Sequence, residues 1–79
     1  MKSNNINYIN VGARVRQLRC AMQLTQDDFA SVVGIDDAHS IARIERGARG
    51  VSMELAARIA ETYGITLDWL ILGRGSALM

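Results

Sequence analysis

Apolar residues recur along this chain at spacings of three and four, punctuated by glycines, and the pattern resolves into five short helices. Val11, Val15, Leu18 and Met22, with Arg14, Arg16 and Arg19 between them, predict an amphipathic helix from Asn10, its expected cap, to about Met22. Thr25 followed by Asp28 resembles a capping box with Asp in place of Glu, so a second helix is expected from Gln26 to about Val33. It would bury Phe29, Ala30 and Val33 and stop at Gly34, where a left-handed residue ends a helix most easily. After a turn of Ile35, Asp36 and Asp37, a third helix from about Ala38 to Arg46 turns Ile41 and Ile44 inward and ends at Gly47. Ser52 caps a fourth helix that runs to about Tyr63, with Leu55, Ala56, Ile59 and Ala60 on one face and Gly64 at its end. Thr66 caps a fifth, Leu67 to Leu72, closed by Gly73. The expected fold class is therefore all-α, a compact five-helix domain with a helix, a tight glycine turn and a second helix between Leu24 and Gly47.

The ends differ from the middle. Residues 1–9 are polar, without a helical period, and predict a flexible arm that orders around Tyr8 and Ile9; the domain proper spans 10–73, and 74–79 form a short tail expected to fray. Seventy-nine residues are expected to make one domain, without an effector-binding one. A hydrophobic share of 49% suffices for a core, while 5% aromatic residues and no proline disfavour a sheet-rich scaffold. With one cysteine, Cys20, and one histidine, His39, an internal disulfide is impossible and no metal site or cofactor is expected. No stretch approaches the roughly 20 apolar residues of a membrane span, and residues 1–10 lack the apolar core of a signal peptide, so a cytoplasmic protein is expected. No Ser-His-Asp, Cys-His or paired-carboxylate arrangement is evident, and an enzyme is not expected.

A net charge of +1 decides nothing by itself; its distribution does. On a helical wheel Ala38, Ile41, Ile44 and Ala48 fall on one side of the third helix, and His39, Ala42, Arg43 and Arg46 on the other. Between Arg43 and Gly50 three arginines face Glu45 alone, a local charge of +2 suited to a phosphate backbone. Arg43 can donate two hydrogen bonds to guanine O6 and N7, a contact worth about 1–3 kcal/mol of discrimination, and is the first candidate for base reading.

The segments LTQDDFASVVGI (24–35), IARIERGAR (41–49) and LAARIAETYGITLDWLILGRG (55–75) resemble the Cro and lambda-repressor family, the Xre-type regulators, over about residues 11–74. The most specific pieces are Leu24-Thr25-Gln26, the run Arg43 to Gly47, and Asp68-Trp69-Leu70 with Gly73. The resemblance implies a transcriptional regulator, Cro-like or prophage-type, that binds double-stranded operator DNA with its third helix in the major groove, commonly as a two-fold homodimer on a palindromic site. His39, Ser40 and Ala38 join Arg43 as base-reading candidates through their position in the motif. Gln26 and Thr25, at the start of the second helix, and Arg46 and Arg49, at the end of the third, are the phosphate-binding candidates. The family also implies a structural salt bridge between Arg19 and Glu45 behind the reading surface. Trp69, Leu70, Ile71 and Leu72 together exceed what one side of a two-turn helix can bury; Trp69 and Leu70 are expected to close the core, and Ile71, Leu72 and the end of the tail are the candidate dimer contact. An antitoxin with a toxin as protein partner, or a restriction-modification controller, is the alternative on the same fold.

Two departures from the family pattern stand out. The turn between Gly34 and Ile41 is one residue longer than the commonest spacing and carries Asp36 and Asp37; Asp37 is the expected cap of the third helix, with Asp36 exposed. Val51 stands where the family often has proline before the fourth helix.

Overall fold

The computed structural model describes residues 6–78. Helix α1 is Tyr8–Ala21, α2 Gln26–Val32, α3 Ala38–Glu45, α4 Met53–Tyr63 and α5 Asp68–Leu72, the last wound in the wider π form. There is no strand among the described residues, only an isolated antiparallel bridge between Ile65 and Leu78. The arrangement is all-helical with five helices, as the periodicity predicts.

The first helix starts earlier than its apolar period suggests. Asn7, not Asn10, is the cap: its Oδ1 accepts from the Asn10 backbone N–H at 3.1 Å, and its carbonyl accepts from Val11 at 2.9 Å. Tyr8 and Ile9, the expected end of the arm, are therefore helical, and they lie against Gly50 and Gly47 of the loop after α3. The rest of the arm, residues 1–5, lies outside the described residues. At the other end α1 stops at Ala21, and Met22, expected inward, is exposed. The stop is made by Gln23 in the left-handed region (φ 60°), with Leu24 N–H bonding back to Arg19 O at 3.1 Å. A glycine at φ 78° does the same after α2, where Ile35 N–H reaches Ala30 O at 2.7 Å. This Gly34 stop fixes the angle at which the chain enters α3.

Apolar side chains from all five helices form one core. Val11, Val15, Leu18, Phe29, Ala30, Val33, Ile41, Ile44, Leu55, Ala56, Ile59, Ala60 and Leu70 are buried, joined by Ile65 from the loop before α5. Ile41 and Ile44 of α3 are wholly enclosed, and burial of each contributes about 1.5–3 kcal/mol. Arginines tie the helix ends together from a distance. Arg14 of α1 donates to the carbonyls of Leu70 (2.8 Å) and Ile71 (3.0 Å), and Arg58 of α4 donates to Val33 O (2.8 Å), satisfying carbonyls that have no partner within their own helices. Thr66 caps α5 through its Oγ1, which accepts from Trp69 N–H at 3.1 Å. The tail is not frayed through Leu78: Thr66 N–H bonds to Ala77 O at 2.9 Å and Thr66 Oγ1 donates to Ser76 O at 2.9 Å, which folds 76–78 back on the core.

Tyr63 is an exception to this polar satisfaction. Its ring stacks on Phe29 with centroids 5.6 Å apart, but its hydroxyl is buried without a hydrogen-bond partner. A buried hydroxyl without a partner costs roughly 1–3 kcal/mol, so Tyr63→Phe is expected to stabilise the domain by about 1 kcal/mol and raise its melting midpoint by roughly 4–8 °C. Burial also raises the phenol pKa above its ordinary value of 10.0. The unfolded chain then ionises before the folded one, so stability falls as pH climbs past about 10, and the Phe variant should lose less there. Urea melts at neutral and alkaline pH check both arms; a lower midpoint for Tyr63→Phe at neutral pH would mean the hydroxyl has a partner after all.

Candidate nucleic-acid interface

Helix α3 packs against α1 and α2 with one face embedded and one face free. Its start is fixed by Asp37, whose Oδ1 accepts from His39 N–H at 2.9 Å; Asp36 beside it is exposed. Ile41 and Ile44 anchor the inner face, leaving His39, Arg43 and Arg46 exposed along the outer one. Ser40 and Ala42 are half-buried. Ala38 is half-buried too, in a recess it shares with Asp27, Ser31 and Asp36, so it offers a methyl surface only. Arg49 is exposed in the loop after α3.

Behind this edge Arg19 and Glu45 form a two-pronged pair: Arg19 Nε donates to Glu45 Oε2 at 2.6 Å and Nη2 to Oε1 at 3.1 Å. Their side chains retain 13% and 5% exposure, so the pair sits largely inside the protein. The hydrogen bond to Glu45 raises the Arg19 pKa, with burial working against it. Arg19 Nη1 also donates to Leu24 O at 2.8 Å, which fastens the turn before α2 to the same group. The opposite prong holds Gln26, whose Nε2 donates to Glu45 Oε1 at 3.1 Å. Gln26 is thus tethered to α3, with one amide N–H and its carbonyl oxygen still free to face a ligand. Thr25 is exposed, and its Oγ1 accepts from Asp28 N–H at 3.0 Å.

The Gln26 tether and the role of Gly12 were not visible in the residue pattern. Gly12 is buried where α1 crosses α3, and a Cβ there would fall well inside contact distance of Ile44 O and at 3.0 Å from the Glu45 backbone. The available signal was a glycine in the interior of an amphipathic helix, where its backbone entropy disfavours it unless two backbones must meet.

A helix-turn-helix family model matches residues 15–70, the span that holds α2, the glycine turn and α3. The chain belongs to the Cro/C1-type helix-turn-helix family. As a member it is a DNA-binding transcriptional regulator. It is similar to the restriction-modification controller protein C.AhdI from Aeromonas hydrophila, with a TM-score of 0.72 and 31% identity over 81% of this chain and 96% of that one. The clp gene regulator ClgR from C. glutamicum matches with a TM-score of 0.71, covering 85% and 86% of the two chains; at 22% identity it speaks for the fold alone. Antitoxin PezA from Streptococcus pneumoniae is 36% identical over 56 residues, 71% of this chain and 35% of PezA, so the helix-turn-helix chain spans about a third of that relative. The family and the matched structures are of regulators, not enzymes. Among the described residues no helix is long and apolar enough to cross a membrane, and no group of three or more potential ligands is placed to hold a metal ion.

Proposed function

We propose that this regulator acts in the cytoplasm as a Cro-like repressor, binding a palindromic operator as a two-fold dimer with α3 in the major groove. The observation that carries this reading is the split of α3 into an isoleucine face locked into the core and an exposed edge of His39, Arg43 and Arg46. Arg43 reads guanine, His39 and Ser40 reach neighbouring base edges, and the methyl of Ala38 meets a thymine methyl. Gln26, Thr25, Arg46 and Arg49 hold phosphates on either side. The second copy docks between α4 and α5, where Val51, Met53, Ala56, Leu67, Ile71 and Leu72 line an apolar groove of about 440 Å³. Leu72 and Met53 stand 47% and 88% exposed there, an arrangement that a dimer would cover.

Selection of bound duplexes from a random pool tests the reading: a two-fold sequence with half-sites about 34 Å apart is expected. In the same assay Arg43→Ala should relax the preference at one position per half-site, at a cost of about 1–3 kcal/mol in affinity for each half-site. Arg49→Ala should instead weaken all duplexes evenly. An unchanged motif with Arg43→Ala would remove Arg43 from base reading, and no affinity for any duplex at low ionic strength would overturn the proposal.

The similarity to PezA and to C.AhdI favours a second reading, in which the same fold serves as an antitoxin or a restriction-modification controller and the domain also meets a protein partner, such as a toxin. A toxin gene, or restriction and modification genes, beside this one would support that context.

A further inference from the structure

We infer that the recess where α1, α2 and α3 meet is a backbone-phosphate site in which Arg16 of the first helix acts with Arg46 and Gln26. This rests on the DNA-binding reading above and adds α1 to the contact surface. The recess is open to solvent, about 390 Å³, and is lined by Arg16, Arg19, Gln26, Ala42, Glu45 and Arg46. Its carboxylate is already taken: Glu45 accepts from Arg19 through both oxygens and from Gln26 through Oε1. Arg19 thus cancels Glu45, and Arg16 and Arg46 remain as two cations with no acidic partner among the described residues.

Helix geometry puts Arg16 there. It lies four residues after Gly12, which meets the α3 backbone, and three before Arg19, which meets Glu45, so all three share the side of α1 that faces α3. Arg46 caps the end of α3 and continues the face that carries His39 and Arg43. Two unpaired guanidinium groups facing one recess repel each other in the free protein, and an anion between them relieves that repulsion. The recess is wide and open, next to the reading edge, which suits a phosphodiester passing across it rather than an enclosed small anion. Both guanidinium groups present forked donors matched to phosphate oxygens, and the free N–H of Gln26 adds a third direction.

The test compares wild type with Arg16→Ala, Arg16→Lys and, as a control elsewhere on the surface, Arg74→Ala, on the selected duplex and on an unrelated one across a salt series. Arg16 is exposed, so the variants should melt as wild type does. Arg16→Ala is expected to weaken both duplexes equally, by about tenfold per protomer, and to flatten the slope of log affinity against log salt by about 0.9 per protomer, about 1.8 for the dimer; Arg16→Lys should keep most of that slope and Arg74→Ala all of it. A scan of neutral methylphosphonates through the duplex should find one phosphate per half-site whose replacement costs wild type clearly more affinity than it costs Arg16→Ala, where only the Arg46 and Gln26 contacts remain to be lost. Superimposable salt slopes for wild type and Arg16→Ala, or a loss confined to the selected duplex, would overturn the inference while leaving the DNA-binding reading intact. If wild type itself binds neither duplex, the reading beneath the inference falls and takes the inference with it.

Discussion

Glu45→Ala is expected to destabilise the domain by about 3 kcal/mol, lowering its melting midpoint by roughly 12–24 °C. The loss exceeds that of an exposed ion pair, typically about 0–1 kcal/mol, because the Arg19 side chain is only 13% exposed and would be left charged without its carboxylate. Gln26 Nε2 would lose its acceptor at the same stroke. A domain of this size has on the order of 4–12 kcal/mol of total stability, so the variant would sit close to unfolding at physiological temperature. Replacing both members together, Arg19→Met with Glu45→Leu, should recover most of the loss, since the main penalty is a desolvated charge left alone and not the absence of the attraction. Urea denaturation of Arg19→Met, Glu45→Leu and the double variant gives the coupling directly. A cost under about 1 kcal/mol for Glu45→Ala would show that the pair behaves as if solvated. With the fold intact, the double variant should still bind DNA more weakly than wild type, because Gln26 and the turn at Leu24 lose the group that holds them to α3.

Gly12→Ala sets two effects against each other. In an exposed helix interior the change would stabilise by about 1 kcal/mol through helix propensity. Here the new methyl would press on the Ile44 carbonyl and the Glu45 backbone, neither of which is the far end of a flexible side chain that could step aside. Overpacking of this kind costs about 1–3 kcal/mol and occasionally more, and contact with backbone belongs at the upper end. The net expectation is a loss of about 2 kcal/mol and a shift of α3 away from α1. DNA affinity, measured at a temperature where the variant is still folded, should fall as well, since the proposed reading edge lies on α3. A variant more stable than wild type would show that the two helices can part without penalty.

These expectations separate what the residue pattern disclosed from what it hid. The inward sets Phe29, Ala30, Val33 and Ile41, Ile44 follow from spacing alone, because a helix of 3.6 residues per turn allows only one way to bury them together. The stops at Gly34 and Gly47 were legible for a local reason as well: both glycines sit at positive φ, where other residues are strained. The start of α1 was not legible, since Tyr8 and Ile9 lie on its outer side against the loop after α3 and add nothing to the apolar period. The stop at Gln23 was hidden because nothing about a glutamine marks a left-handed position. Fold-back of residues 76–78 depends on Thr66, a partner ten residues away or more.

By itself, then, the order of amino acids determined the number of helices, the faces they bury, the capping residues Thr25, Asp37 and Ser52, and the exposed edge of α3, since all of these rest on interactions within a few residues along the chain. Only the tertiary structure decided that Gln26 is tied to Glu45, that Gly12 admits the α3 backbone, and that Arg16 and Arg46 face a common recess. Those relations join residues 19 to 33 positions apart, and such pairs meet only when packing of the whole core fixes the angles between helices.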